Sequence, residues 1–310
     1  MIMDRTQREG VMFVLLTALG YSFTPIFSKI ILANGMPPVD IAVWRFLFAA
    51  PLIWVVLVLR RVDSKSERLP RFRLLAIGGF FLVTAALCVF IALQYITAGT
   101  FEVLFYTYPA IVALLSLFRG ERLPPLGWLA LALTLVGIVL TVPDFGLGLQ
   151  GGSLLGVLLS LLNAVVVAFY FFASSRTLRG YTALAHSSAW IITGSALVLG
   201  VIGVFRGVAL PLNATVWLSL LGMALVSTVL PVFCLTVGLQ KLSAARAAIT
   251  GTVEPFLTLI WAALLLGERM ELVQFLGGLL ILVSVILLQL ARNAATPSTP
   301  AAVGSPAAGD

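Results

Sequence analysis

The sequence predicts an all-α integral membrane protein: ten transmembrane helices, built as two five-helix inverted repeats around a central cavity. Three observations carry this expectation. Hydrophobic residues make up 61% of the chain and charged residues only 10%. Soluble domains carry roughly a quarter charged residues, so lipid is the solvent for most of this chain. The apolar residues fall into runs of about 20, the length that crosses a bilayer core as a helix. The second half of the chain then repeats the first.

In order, the apolar runs cover residues 11–32, 40–59, 74–95, 98–118, 126–142, 153–175, 183–205, 215–239, 243–266 and 272–291. The first follows Arg5 and Arg8, as the core of a secretion signal would. It outlasts such a core, and no small-residue cleavage site follows directly, so it reads as a retained span. The fifth is the weakest, because Pro124, Pro125 and Pro143 confine it. Strands of a membrane barrel would be about half as long and would alternate in polarity; these runs do not alternate. The expected organisation is a cytoplasmic N-terminus over 1–10, a first repeat over 11–142 and a second over 153–291. The 292–310 tail, rich in Pro, Ala, Ser and Gly, is expected to be disordered.

Net charge is +7, and the basic residues sit in connections between apolar runs. That is the positive-inside pattern rather than a nucleic-acid footprint. The 60–73 connection holds Arg60, Arg61, Lys65, Arg68, Arg71 and Arg73, whereas 33–39, 96–97, 143–152, 206–214 and 267–271 carry only Arg206 and Arg269. Both termini are therefore expected in the cytoplasm, and the membrane is expected to be the bacterial inner membrane. Two cysteines, one histidine, no CxxC and no HExxH leave no expected metal site, cofactor or disulfide scaffold. No Walker motif supports ATP use. An intramembrane enzyme would need paired carboxylates, a His/Ser pair or metal ligands at depth, and the sequence does not supply them.

The repeat is the strongest signal. At a shift of 146 residues Gly10 falls on Gly156, Phe23 on Phe169, Trp44 on Trp190, Arg60 on Arg206, Cys88 on Cys234 and Pro109 on Pro255. One residue later in register, Gly120-Glu121-Arg122 matches Gly267-Glu268-Arg269. Each half holds five runs. Five is odd, so the second half enters the membrane from the opposite side. Inverted repeats place a substrate path near the midplane and suit alternating access.

The paired Tyr108-Pro109 and Glu254-Pro255, each followed by an apolar run ending in Gly-Glu-Arg, resemble the EamA family of the drug/metabolite transporter superfamily. Lys29 and Arg45-Phe46 also look like features of that family. The resemblance spans about 11–291. It implies ten helices around a central cavity and export of small metabolites, often amino acids. Ile191 stands where Arg45 stands in the first half, so the arginine's role is not duplicated.

Candidate site residues follow from depth. Glu254 lies about 11 residues into its run, roughly 16 Å deep. It is either a proton or ammonium site or a carboxyl that bonds neighbouring helices. Glu102, one turn from its helix end, is expected at the water interface. Pro109 and Pro255 free the carbonyls of Phe105 and Gly251, either shaping a cavity by a kink or simply bending the helix. Asn163 lines the cavity or bonds helices. Tyr106, Tyr108, Tyr170 and Trp261 supply aromatic surface at similar depth, for substrate or for packing. Lys29 and Arg45 snorkel to headgroups or serve as gate or ion pair. His186 is an interface residue, and Cys88 and Cys234 are packing residues. A secondary transporter of amino acids is the leading expectation. Exporters of other amphipathic compounds such as drugs or nucleosides, and a channel, stay open. Partners are a small-molecule substrate and lipids; a monomer is admitted.

Overall fold

In lipid a backbone must satisfy its own polar groups, and for a single chain segment only the helix does so. The computed structural model describes residues 5–61, 69–117, 125–141, 152–178, 181, 183–211, 213–241, 250–251 and 253–295, and these form helices with no strand among them. The predicted tail and the Gly120-Glu121-Arg122 stop lie outside the described residues.

Ten rods follow in order. α1 covers Arg5–Ala33 and α2 Pro38–Leu59. α3 covers Arg71–Ala92. α4 has two pieces, Ala98–Phe105 and Tyr108–Leu117. α5 is Pro125–Thr141, α6 Gly152–Thr177 and α7 Leu184–Arg206. α8 runs through Ala214–Ala224, Leu225–Val229 and Leu230–Lys241. α9 is Glu254–Leu266, with residues 250–251 also helical ahead of it, and α10 is Leu272–Ala295. Six of the rods are long and apolar enough to cross a membrane by that measure alone: α1, α2, α3, α6, α7 and α8. α1 starts ahead of its apolar run because Arg5 and Glu9 pair one turn apart, at 3.6 Å.

Five irregular points mark the rods, four of them in two pairs. α4 stops at Tyr106-Thr107, where Thr107 N–H turns to Leu104 O at 3.2 Å. In α9, Val253 N–H turns to Thr250 O at 3.5 Å. These are the same positions in the two repeats. Pro109 and Pro255 stand second in the helical pieces that follow, where a missing N–H costs least. α3 and α8 each widen into one π turn, over Gly78–Leu82 and Leu225–Val229, one residue from matching positions. α1 breaks at Phe23, with Pro25 opening its second piece; its copy α6 is continuous.

The packing joins the halves. α1 lies along the second part of α8, and α6 along the second part of α3. α2 pairs with α7, α4 with α9 and α5 with α10. Every one of these pairs takes one helix from each repeat. Where α3 crosses α7 the backbones touch: a Cβ on Gly78 would strike the Ile191 carbonyl, and one on Gly194 the Leu75 carbonyl. Ser195 Oγ donates to Gly78 O there at 3.0 Å. Phe90, Ile31, Ile41 and Leu199 fill the interior. The outer faces stay apolar, as with Phe205 at 87% exposed, because their solvent is lipid.

Gly78→Val is expected to lower stability by about 1–3 kcal/mol through overpacking. Gly200→Ala meets only Leu47 Cδ2 at 3.7 Å and should hold or raise stability. Thermal unfolding in detergent reads both; equal melting temperatures for the two variants would contradict the crossing described here.

Candidate functional site

The breaks of α4 and α9 face each other, and the site is built on them. The Tyr106 hydroxyl lies 2.9 Å from Glu254 Oε2 and 3.2 Å from Gly251 O. Gly251 O is the carbonyl that Pro255 leaves without its helical donor. The side chain from one repeat therefore serves the open backbone of the other. Tyr106 is 5% exposed, and its ring meets Tyr108 edge-on at 5.9 Å. One turn up the same helix, Glu102 is 3% exposed and its Oε1 has no hydrogen-bond partner. The expectation of an interfacial Glu102 is thus corrected: the packed bundle, not water, surrounds it.

Arg45 reaches in from α2. Its Nε donates to Thr228 Oγ1 at 3.1 Å and its Nη2 to Ser227 O at 3.3 Å, both on the π turn of α8. Its guanidinium also sits over the Phe46 and Phe90 rings, at 5.6 and 5.8 Å. Among the described residues no carboxylate pairs with it. Tyr21, just before the break in α1, lies within electrostatic reach of Glu254, Arg45, Tyr108 and Tyr170. One interior thus gathers a cation with neutral partners, two carboxyls and a ring of phenols.

Asn163 and Tyr170 are two turns apart on α6, on one face. Asn163 is 5% exposed and its Oδ1 has no partner, and Trp261 Nε1 has none either. Trp261 stacks on Phe23 at 5.0 Å, so its ring is held against the break of α1. Buried polar atoms without partners are rare and costly. They are the atoms a bound ligand can satisfy.

Lys29 and Arg45 go to separate places. Lys29 lies 4.0 Å from Glu268 Oε1, at the end of the bundle away from the start of α1 and the end of α10. The Glu268 carboxylate takes two bonds from Ala98 N–H, at 3.0 and 2.8 Å, and one from Gly99 N–H at 3.3 Å. It thereby caps the start of α4, where unpaired N–H groups and the helix dipole favour an anion. Gly267, at φ 67°, makes the turn that delivers it. Two more ties join the repeats at that end: Arg206 to Asp40 at 3.1 Å and Asn213 to Asn34 at 3.0 Å. At the opposite end Lys241 pairs with Glu9. His186 sits there too, 6.3 Å from the Trp54 ring.

The profile of the EamA-like transporter family matches residues 8–142 and again 154–290. The chain belongs to this family. It is a secondary transporter, a multi-pass membrane protein that moves a small molecule, and not an enzyme. Among curated relatives of this EamA chain, the "Uncharacterized transporter YcbK" of Bacillus subtilis is 24% identical, over 88% of this chain and 90% of its own. The "Uncharacterized inner membrane transporter YicL" of Salmonella typhimurium is 26% identical over 91% and 96%. The "Pseudopaline exporter CntI" of Pseudomonas aeruginosa is 24% identical over 91% and 96%. A solved crystal structure, 17% identical, superposes with a TM-score of 0.65 over 93% of this chain and 99% of its own, which establishes the fold alone.

Tyr21 and the Glu268 carboxylate are site features that the candidate residues had not included, and Glu102 had been expected at the water interface. Glu268 was visible as part of the doubled Gly-Glu-Arg. Tyr21 had no such signal. Glu268→Ala should cost about 1–2 kcal/mol, the size of a lost helix cap, read by thermal unfolding. Lys29→Gln should cost under about 1 kcal/mol, since an ion pair this long and partly exposed contributes little. A larger loss for Lys29→Gln would overturn the capping account.

Proposed function

We propose that this EamA transporter exports small amphipathic metabolites, amino acids the leading class, across the bacterial inner membrane by alternating access. The observation that carries the reading is the pairing of opposite chemistries at the centre. Among the described residues Arg45 has hydroxyl, carbonyl and ring partners, while Glu102 is buried on α4 and Glu254 half-buried on α9. A carboxylate group suits the first and an ammonium group the second. Tyr108, Tyr170 and Trp261 add aromatic surface for an apolar side chain, and Asn163 a free acceptor. Drugs or nucleosides would use the same aromatic surface but leave one of the two charges unmatched. That favours a zwitterion.

Alternating access has its parts in this reading. The ties of Glu268, Lys29, Asp40 and Arg206 close one end of the bundle. The breaks in α1, α4 and α9 are the points about which half-helices tilt. Asp40 and Glu268 both hold backbone N–H groups across the repeats. The CntI relative, named an exporter, supports the outward direction. The YicL relative supports the inner membrane. The basic 60–73 connection supports cytoplasmic termini. A monomer suffices, because one chain holds both repeats.

Counterflow in proteoliposomes tests this. Unlabelled amino acid inside should accelerate uptake of the labelled compound, across a panel holding an apolar, an aromatic, a basic and an acidic amino acid. Glu254→Gln and Arg45→Gln should each lower the rate at least about tenfold, the effect of one lost charge-assisted contact. Wild-type rates in both variants would remove the site. Absence of trans-acceleration would favour a pore. A second test concerns orientation: a reporter in the 206–214 connection should read periplasmic and one in 60–73 cytoplasmic. The same side for both would refute the orientation.

A further inference from the structure

Two corners of the bundle, one at each end, are copies that differ in charge. At the first, Asp40 stands in the opening turn of α2. It accepts from Arg206 Nη1 at 3.1 Å and from Ala209 N–H at 3.2 Å. Trp44, one turn along α2, meets the Trp217 ring edge-on at 5.4 Å. That corner is balanced: one acid, one arginine and two indoles. The 146-residue shift carries Asp40 to His186, Arg206 to Arg60, Trp44 to Trp190 and Trp217 to Arg71. The second corner therefore keeps the arginine and one indole, loses the acid and gains a second arginine.

The contacts there follow from that exchange. Arg71 lies over the Trp190 ring at 5.2 Å, where Trp217 stands against Trp44 in the copy. Trp190 meets Trp54 edge-on at 5.3 Å, and the Trp54 ring lies 6.3 Å from that of His186. Trp54 Nε1 donates to Thr193 Oγ1 at 3.0 Å, which fixes its ring. Arg71, Trp190, Trp54 and His186 thus form one contiguous group drawn from α3, α7 and α2. His186 Nδ1 is buried without a hydrogen-bond partner, so the histidine does not replace what Asp40 does in the copy. Arg60 lies over the Phe233 ring at 5.5 Å. Among the described residues no carboxylate pairs with Arg60 or Arg71. The 60–73 connection holds six basic residues against Asp63 and Glu67, so pairing within it leaves cations over. A ring face is a weaker partner for a guanidinium than a carboxylate or a phosphate, which it grips through a fork of N–H donors.

The surroundings select the anion. Phe72, beside Arg71, is 88% exposed, and Leu59, beside Arg60, is 74% exposed. Side chains of this kind face acyl chains, and indoles such as Trp54 and Trp190 suit the level where headgroups meet hydrocarbon. A dissolved anion would meet the arginines and leave the apolar flank unmatched. An anionic phospholipid matches both, with its phosphate on the arginines and its chains along the flank. We propose that this corner is a headgroup site for an anionic phospholipid, whose phosphate is held by Arg60 and Arg71 and supplies the negative charge that Asp40 supplies at the other end. The bound lipid ties α2 to α3 and α7, where the protein's own ion pair ties α2 to α7 in the copy.

The test needs neither substrate nor transport, so its outcome is separate from that of the transport reading. Purified protein in a neutral detergent is titrated with phosphatidylglycerol while thermal unfolding is followed. Phosphatidylcholine with the same chains, and inorganic phosphate, are compared at equal concentration. Phosphatidylglycerol should raise the unfolding midpoint in a saturable way, and the other two should leave it unchanged. Arg60→Gln and Arg71→Gln should each raise the half-saturating concentration about fivefold, the effect of one cation near a headgroup. Arg5→Gln combined with Arg8→Gln, at the same end of the bundle, should change it less than about twofold. His186→Asp returns an acid to the copy of Asp40. It should raise the midpoint without lipid and halve the gain from phosphatidylglycerol, and it decides the matter where an arginine variant does not fold. Equal midpoints with the two lipids, or an equal rise with inorganic phosphate, would overturn the lipid site. So would a His186→Asp protein that gains as much from phosphatidylglycerol as wild type, or an Arg5 and Arg8 variant that loses as much as Arg71→Gln.

Discussion

A backbone carbonyl inside a membrane has no water to turn to when its helical donor is lost. That constraint organises this protein. Several irregular points of one repeat are served by a side chain of the other. Tyr106 meets Gly251 O, Arg45 meets Ser227 O, Ser195 meets Gly78 O, and Thr17 Oγ1 meets Pro231 O at 3.3 Å. Glu268 meets the open N–H groups at Ala98 and Gly99. Asp40 meets Ala209 N–H, and Trp44 Nε1 meets Ala209 O. The repeats are stitched together through each other's defects. Neither half can leave the other without exposing several unsatisfied groups, each costly to bury alone.

Within this frame the chemistry lies where the copies differ. Tyr108 aligns with Glu254, Arg45 with Ile191, Glu102 with Ala248 and Tyr106 with Thr252. Symmetry supplies two opposed broken helices at matching positions and two π turns one residue out of register. Departures from symmetry put the carboxyls and the phenol on one side of the break and the arginine on another. A perfectly symmetric pair would have placed two identical groups face to face, and like charges there repel. The differences keep two like charges from facing each other across the break.

Much of the fold was legible in the sequence, because lipid imposes run length and the odd number of spans imposes inversion. The breaks at Pro109 and Pro255 were legible as well, including the freeing of Gly251 O. What took that carbonyl was not. Tyr106 is 145 residues from Gly251, and no local pattern links them. Glu102 misled for a related reason. Counting residues from a helix end measures depth in a slab, whereas its surroundings are set by α9 and α6 packed beside it. Tyr21 owes its place to the break at Phe23, which the apolar run of α1 did not reveal. The break lacks a counterpart in α6, so the repeat could not show it either.

The latch formed by Glu268 recognises backbone, not side chains. Every residue except proline offers an N–H at the first positions of a helix. The lining of α4 below Ala98 is therefore free to change without loosening the closed end of the bundle. Side chains along α4 can vary while the Glu268 carboxylate keeps the backbone N–H groups it binds.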